Sequence, residues 1–352
     1  MLKIYFDNSH YDARFRGQLF PLLKPFLKVP NFTDSERIVT YGVSEQDYLL
    51  VDSLAKSDIA VLTMSWDYYA QQKKMDLANL FINEVAKLDK IVWTVSLGDL
   101  GYKLPLYENV LVFRMSGLKS KLPTTHKGMP VFIDDPLKKQ FDQDDIFPIS
   151  YNKTPTVGFC GYADNDKKEV IKYTAKEYLK KGVNSFRKQP FERQPIFVAP
   201  LERFKLLRIF VEAHVIKSSF IYRKKYRAGA NTEVLRKKTT LEYFNNIKQS
   251  QYILCIRGAG NFSVRFYETL AMGRIPVFIN TDCLMPLEHI IDWKKHVVWL
   301  EAHDRDNVAQ KVLAFHKALS KDQFENICRG NRKLWQDKLS LGGFFKLQKL
   351  KN

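Results

Sequence analysis

The chain has 352 residues, of which 45% are hydrophobic and 13% aromatic. This length and composition favour two packed domains and exclude a wholly disordered protein. The formal net charge is +18, with 18 Lys/Arg and 19 Asp/Glu in residues 1–150 against 38 and 19 in residues 151–352. The positive excess therefore lies in the second part, which predicts an anionic partner for that part.

Targeting and redox signals are weak in this sequence. The apolar run near residue 1 is shorter than a secretory signal needs, and no window approaches the length of a membrane span. Four cysteines are scattered without a paired spacing: Cys160, Cys255, Cys283 and Cys328. This pattern fits reduced thiols, and we expect a cytoplasmic protein.

Strand and helix signals alternate over the first 150 residues. Strands are predicted at 2–6, 59–63, 91–95, 110–113 and 131–133. A helix is predicted at 76–88, with one apolar face formed by Leu77, Leu80, Phe81, Val85 and Leu88. Strands joined through helices imply right-handed crossovers and a parallel sheet, so we expect an α/β fold.

A polar stretch at 138–155, with an acidic cluster and two prolines, predicts a domain boundary near residue 150. Beyond it, strands are predicted at 156–160, 196–198, 220–222, 252–256, 275–279 and 297–300, with helices at 262–272 and 307–319. We therefore predict one domain over 1–150, a second over 151–335, and a C-terminal helix over 336–352. That helix either packs back on the first domain, which we favour, or lies on a membrane.

A glycine loop between a predicted strand and a predicted helix is the strongest local feature. It consists of Arg257, Gly258, Ala259, Gly260 and Asn261. Glycines allow close backbone approach, and the amides at a helix start attract anions. Arg265 can then meet a phosphate, and Glu268 can accept two hydrogen bonds from a ribose diol. The alternative is that Arg265 and Glu268 form an ordinary exposed ion pair three residues apart.

Residues 250–293 make the sequence similar to a known family. The matching positions are Ser250, Leu254, Cys255, Gly258, Arg265, Glu268, Gly273, Pro276, Val277, Asp282, Pro286, Asp292 and Trp293. This pattern resembles the C-terminal half of the exostosin family of glycosyltransferases, and 158–161 (Gly-Phe-Cys-Gly) resembles the start of that family's donor domain. The family's Asp-His-Phe signature is absent, and the comparable place holds residues 96–99 (Ser-Leu-Gly-Asp).

The resemblance implies a GT-B architecture, in which two Rossmann-like domains face each other across a cleft. The first domain would hold the acceptor, and the second would bind a UDP-sugar whose anomeric centre is inverted without a metal ion. The residues expected at the nucleotide-sugar site are Gly161, Tyr162, Arg223, Arg257, Gly258, Ala259, Gly260, Asn261, Ser263, Arg265 and Glu268. An inverting transfer also needs a base from the first domain, and the aspartates that follow its strands are ranked Asp99, then Asp67, then Asp7.

Two other functions remain open from the sequence. Asp164 and Asp166 have the spacing of a metal-binding Asp-x-Asp, although lysines follow them, so a metal-dependent transferase is one alternative. A non-catalytic polyanion- or nucleic-acid-binding protein is the other, although no nucleic-acid module is recognised. We expect no cofactor besides the UDP-sugar, a glycan or lipid-linked acceptor, no nucleic-acid partner, and peripheral membrane association through the basic surface.

Overall fold

A computed structural model describes residues 1–27, 32–188 and 190–348. Within these residues the strands are β1 (Leu2–Tyr5), β2 (Tyr48–Leu50), β3 (Ile59–Val61), β4 (Val92–Ser96), β5 (Val110–Arg114), β6 (His126–Gly128), β7 (Thr156–Tyr162), β8 (Lys217–Arg223), β9 (Tyr252–Cys255), β10 (Ile275–Asn280) and β11 (Val298–Glu301). The α-helices are α1 (Asp34–Tyr41), α2 (Trp66–Gln71), α3 (Met75–Ala86), α4 (Pro136–Phe141), α5 (Lys167–Ser185), α6 (Ala199–Glu212), α7 (Glu233–Gln249), α8 (Val264–Ala271), α9 (Val308–Lys317), α10 (Lys321–Leu334) and α11 (Leu341–Gln348).

The first sheet is parallel and has the order β2-β1-β3-β4-β5-β6. The prediction of a strand at 131–133 is wrong, because the edge strand is β6, just upstream. Pro130 follows β6 closely and has no backbone N–H to donate to a ladder, so the chain leaves the sheet there. The short strand β2 was not predicted, since three residues carry too little pattern.

The second sheet is also parallel, in the order β11-β10-β9-β7-β8. The predicted strand at 196–198 is wrong: this segment is irregular and leads directly into α6. Pro195 and Pro200 flank it, and neither can donate a ladder hydrogen bond. Both sheets are parallel and carry helical crossovers, so the predicted α/β architecture of two Rossmann-like units is confirmed.

Helix α11 packs on the first sheet. Phe344 and Phe345 are fully buried, and their rings lie 5.7 and 5.6 Å from the ring of Phe113 on β5. Phe345 also contacts Trp93 and Phe20. Residues 349–352 of the predicted C-terminal segment lie outside the described residues. The described part of the segment therefore covers one face of the first sheet.

Loops at the carboxyl ends of the two sheets meet directly. The amide of Asn261, after β9, donates to Ser116 Oγ at 2.8 Å, and its side chain donates to the carbonyl of Gly117 at 2.9 Å. Further from this point, Arg332 on α10 forms a two-bond ion pair with Asp135 at 2.6 and 2.9 Å. Among the described residues, no helix has both the length and the apolar character needed to cross a bilayer.

Candidate functional site

The glycine loop joins β9 to α8 at the carboxyl end of the second sheet. Ligands of open α/β sheets bind at this end, because the loops there project beyond the strands. A Cβ atom on Gly260 would lie 2.5 Å from the ring of Phe262 and 2.9 Å from Asp99 Oδ1. Glycine is therefore required at 260 by the ring of Phe262 and by the approach of Asp99 from the first domain, so the loop lies where the two domains meet.

Four arginines lie at the carboxyl end of the second sheet, and we call them the arginine cluster: Arg203, Arg223, Arg257 and Arg265. The Nε atom of each is buried without a hydrogen-bond partner. Of these four arginines, only Arg223 forms an ion pair with a described carboxylate, that of Glu242 at 2.8 Å. Arg257 is buried and the other three are half-buried. Guanidinium groups that are shielded from water, three of them without a carboxylate at ion-pair distance, favour an anion beside them.

Backbone carbonyls hold the cluster in place. Arg203 Nη1 donates to the carbonyl of Tyr162 at 3.3 Å, and its Nη2 donates to that of Arg257 at 3.4 Å. Arg265 Nη2 donates to the carbonyl of Cys160 at 2.8 Å. Burial and the charge of Arg265 lower the pKa of Arg203 to about 10, so the guanidinium stays charged at neutral pH.

The positions predicted beside the loop differ in their roles. Gly161 makes room for Arg265, since a Cβ there would lie 2.8 Å from Nη2. Arg257 is buried, donates to Gln194 at 2.6 Å and to the carbonyl of Ala259 at 3.0 Å, and lies over the ring of Phe197. Its own contacts therefore fix it beneath the loop. Gly258 borders Arg203, whose Nη2 lies 3.8 Å from a Cβ built at that glycine.

Glu268 lies one turn beyond Arg265 on α8. It is half-buried, and its Oε2 accepts a hydrogen bond from Tyr243 at 2.5 Å. Burial raises the pKa of Glu268, while the bond from Tyr243 and the charge of Arg265 oppose this rise. The two side chains do not form an ion pair within 4.0 Å among the described residues, which contradicts the ordinary helix-pair alternative.

Three predicted contacts are directed elsewhere. The Asn261 side chain is used between the domains, where it donates to the carbonyls of Gly117, Thr281 and Asp282 and accepts from Thr281. Arg223 is directed to Glu242 and to the carbonyl of Thr239. Ser263 precedes α8 without making a side-chain capping bond. Asn261 therefore holds the loop against the first domain, and its amide group is not free for a diphosphate.

Of the three candidate bases, Asp99 faces the glycine loop. It is exposed to solvent, and its carboxylate oxygen lies beside Gly260. Desolvation by the surrounding chain raises the pKa of Asp99, and the charge of Arg257 opposes the rise. A carboxylate in this position can accept a proton from a hydroxyl bound in the cleft.

The other two candidates are engaged in local structure. Asp67 is 1% exposed and accepts the amides of Leu97 at 2.7 Å and Gly98 at 3.1 Å. Burial raises its pKa, but both oxygens are occupied, so Asp67 shapes the loop that carries Asp99. Asp7 accepts from Ser9, and these bonds lower its pKa although burial acts to raise it. Both aspartates thus act as backbone anchors.

The Asp-x-Asp pair has a structural role as well. Asp166 is the N-cap of α5 and accepts from the amides of Lys168 and Glu169. Asp164 in turn accepts from the amide of Asp166 at 3.0 Å. In the part of the chain that is described, no group of three His, Cys, Asp or Glu residues is placed to hold a metal ion.

Two residues of the site were not predicted. Arg203 is the fifth residue of α6, and Gln194 comes from the irregular segment before that helix. The Gln194 side chain reaches across to donate to the carbonyl of Leu100 at 3.5 Å. Neither carries a motif. The one available signal is Pro200, which marks the start of a helix three residues before Arg203.

Two parallel α/β sheets whose carboxyl-end loops meet beside the arginine cluster have the arrangement of the GT-B class. Residues 205–314 match the family model of the Exostosin GT47 domain. The exostosin-like resemblance recognised in the sequence is thereby confirmed over these residues.

Individual relatives give further comparisons. A 60-residue stretch, 17% of this chain, is 35% identical to Exostosin-1 of Drosophila melanogaster and covers 8% of that protein. A glycosyltransferase from Rickettsia africae ESF-5 is similar over 99% of this chain and 98% of its own, at 12% identity and a TM-score of 0.37. WaaG, a glycosyltransferase involved in lipopolysaccharide biosynthesis, is similar over 87% of this chain and 78% of its own, at 10% identity and a TM-score of 0.33.

Proposed function

We propose that this chain is an inverting, metal-independent glycosyltransferase that moves a sugar from a UDP-sugar to a hydroxyl of a glycan acceptor. The observation that carries the proposal is the arginine cluster, in which Arg203, Arg257 and Arg265 lack a carboxylate partner among the described residues beside a glycine loop. A nucleoside diphosphate supplies the missing negative charge. Glu268 lies at the far end of the same site and can hold the ribose diol.

Chemistry at this site follows from charge. As the bond from the anomeric carbon to the diphosphate breaks, negative charge grows on the leaving oxygen, and preorganised guanidinium groups stabilise it in a site shielded from water. The acceptor hydroxyl attacks the same carbon from the opposite face, which inverts the configuration. Its proton passes to Asp99, whose carboxylate belongs to the first domain and lies beside Gly260 of the loop.

A calorimetric titration with UDP in excess EDTA tests this proposal. UDP is expected to bind with the same affinity with and without EDTA, and uridine at least ten-fold more weakly because it lacks the diphosphate. Arg203→Gln should weaken UDP at least ten-fold, whereas Arg208→Gln, an exposed change on the same helix, should not. Binding abolished by EDTA would favour the metal-dependent alternative. Binding of heparin or an oligonucleotide, but not of UDP, would favour the polyanion-binding one.

We also propose that the protein associates with anionic membrane surfaces through α5. None of the residues of this helix is buried, and Ile171, Tyr178 and Leu179 are 68%, 63% and 70% exposed. Six lysines lie on the same helix. Apolar side chains that enter the interface, flanked by lysines that meet lipid phosphates at about 1 kcal/mol each, give peripheral binding.

Vesicle sedimentation tests the membrane proposal. Vesicles with anionic lipid should capture the protein, and neutral vesicles should not. The Ile171→Ser, Leu179→Ser double variant should lose at least five-fold in capture. Val211→Ser and Val215→Ser replace two exposed valines outside α5 as the control. Equal capture of all three proteins would contradict a role for α5.

A further inference from the structure

The crossover from β4 to β5 contains no helix. Residues 97–109, all of them described, form an irregular loop, whereas α2 and α3 lie between β3 and β4. Alternate residues of a strand point to opposite faces, so Phe113 meets α11 while Val110 and Val112 point to the other face. A crossover helix usually packs on such a face, and this crossover has none.

A cavity of about 410 Å³ occupies this place. It lies between the sheet, the loop at 103–107, the segment at 118–126 and residues 192–194 of the second domain. Its apolar walls are formed by Leu104, Leu106, Val110, Val112, Leu118 and Leu122. Leu106 is 84% exposed at the edge. Aliphatic walls of this kind cannot hydrogen-bond the hydroxyls of a sugar, so they suit an alkyl chain.

The charged side chains of this cavity are mostly cationic. Lys103, Lys121 and Arg193 line it, are exposed, and form no ion pair with any described carboxylate. The acidic residue in the lining is Glu192, and it is neutralised by two bonds from Arg114 at 2.6 and 2.7 Å. The cavity therefore combines an apolar interior with a positive rim.

His126 adds a neutral donor to the lining. Arg114 Nη1, which can only donate, lies 3.0 Å from its Nδ1, so Nδ1 accepts and the ring hydrogen is on Nε2. Burial and the neighbouring Arg114 lower the pKa of His126 to about 4, which keeps the ring neutral at physiological pH. The Nε2–H group is then available to a phosphate oxygen in the cavity.

Gln194 links this cavity to the arginine cluster. It lines the cavity, donates to the carbonyl of Leu100, and accepts from Arg257. Leu100 adjoins Asp99. One side chain thus contacts the cavity, the arginine cluster and the loop that carries the proposed base.

We propose that this cavity binds the aglycone of the acceptor, and that the aglycone is an alkyl phosphate, as in a lipid-linked glycan. The aliphatic walls hold the first carbons of the chain, and Lys103, Lys121 and Arg193 meet the phosphate. This inference rests on the proposed function, because it assigns the acceptor of the same reaction.

The probe is n-decyl phosphate, titrated below its micelle concentration and followed by calorimetry. Decyl phosphate should bind at least ten-fold more tightly than decyl glucoside, which lacks the charge, or inorganic phosphate, which lacks the chain. The Lys121→Glu, Arg193→Glu double variant should weaken it at least ten-fold. The control is Lys87→Glu with Lys127→Glu, which makes the same charge change on exposed positions outside the cavity.

Equal weakening in the two double variants would show general attraction to a basic protein and would overturn the proposal, as would equal binding of decyl phosphate and decyl glucoside. Thr125→Trp, which fills the cavity from a half-buried lining position, gives an independent test and should also weaken binding. UDP is titrated into every variant. Binding of UDP without decyl phosphate would refute the cavity proposal alone, and binding of decyl phosphate without UDP would refute the transferase proposal alone.

Discussion

Glu268 and Tyr243 allow ribose binding to be separated from internal hydrogen bonding. Glu268→Ala removes the carboxylate that is expected to hold the ribose diol, so UDP affinity should fall at least ten-fold, about 1.4 kcal/mol. Tyr243→Phe removes the hydrogen bond from Tyr243 to Glu268 but keeps the carboxylate, so UDP affinity should change less than three-fold. Calorimetry with UDP measures both. Equal affinity of Glu268→Ala and the unaltered protein would contradict the ribose assignment.

His126 is predicted to make the protein sensitive to acid. The unfolded chain takes up this proton near pH 6.5, whereas burial and Arg114 lower the pKa in the folded protein to about 4. Protons therefore favour the unfolded state between these values, and stability falls as the pH drops through this window. From about pH 7 to about pH 5 the loss from this residue is about 2 kcal/mol.

His126→Asn should remove this part of the acid sensitivity, because the amide oxygen can accept from Arg114 without titrating. Urea unfolding at the two pH values measures it, and His303→Asn at an exposed position is the control. The same loss of stability on acidification in His126→Asn as in the unaltered protein would show that His126 does not titrate as described.

The sequence predicted the local part of the site better than the part assembled by folding. The glycine loop, Arg265 and Glu268 are contiguous with β9 and α8, so a strand–loop–helix pattern reveals them. Arg203 and Gln194 come from a distant segment, and only the packing of α6 brings them to the loop. The same limit applies to Asp67: a carboxylate after a strand gives no indication that two amides will occupy it.

At the scale of elements, the segment at 190–194 ties the second domain to the first. The amide of Lys103 donates to Pro190, and the rings of Tyr102 and Phe191 lie 4.4 Å apart. The Arg114–Glu192 pair lies behind them, with Arg114 1% and Glu192 19% exposed. This ion pair, with one residue in each domain, holds the loop that carries Asp99 in place.

Glu192→Gln should lower the free energy of unfolding by about 3 kcal/mol, because it leaves the Arg114 charge buried without a carboxylate. Glu212→Gln, the partner of Arg208 in a pair whose side chains are 60% and 62% exposed, should cost less than about 1 kcal/mol. Urea unfolding measures both. Similar costs for the two variants would mean that water reaches Arg114.

Helix α3 shows why the bounds of a helix are easier to predict than the residues of its buried face. A helix was predicted at 76–88 and is found at Met75–Ala86, but the buried residues are Ala78, Phe81, Ile82 and Val85. Leu80 and Leu88, assigned to the buried face, are 62% and 46% exposed. Apolar residues lie on most sides of this helix. The sequence pattern therefore predicts a helix, but packing against the neighbouring elements determines which side is buried.

At the scale of the whole molecule, one face of the second sheet shares an apolar core with the first sheet, while the other face has a buried cluster of its own. Phe113 of the first sheet and Phe266, Trp293 and Trp335 of the second part belong to one cluster of buried residues. The Arg332–Asp135 pair and the hydrogen bonds of Asn261 cross the same boundary. Two units joined in this way are expected to lose their structure together.

Scanning calorimetry should therefore show one unfolding transition whose calorimetric and van't Hoff enthalpies agree. Asp135→Asn, which leaves Arg332 without its carboxylate, should lower the midpoint and keep the single transition. Two resolved transitions in the unaltered protein would contradict a shared core.

The position of α11 also bears on the order in which the protein folds during synthesis. Phe344 and Phe345 complete the core of the first sheet, yet they are translated roughly 200 residues after its strands. At about 5–20 residues per second, the first sheet waits roughly 10–40 s on the ribosome with one aromatic face open. The nascent chain is thus exposed to misassociation over that interval, because Trp93 and Phe113 stay uncovered until α11 docks.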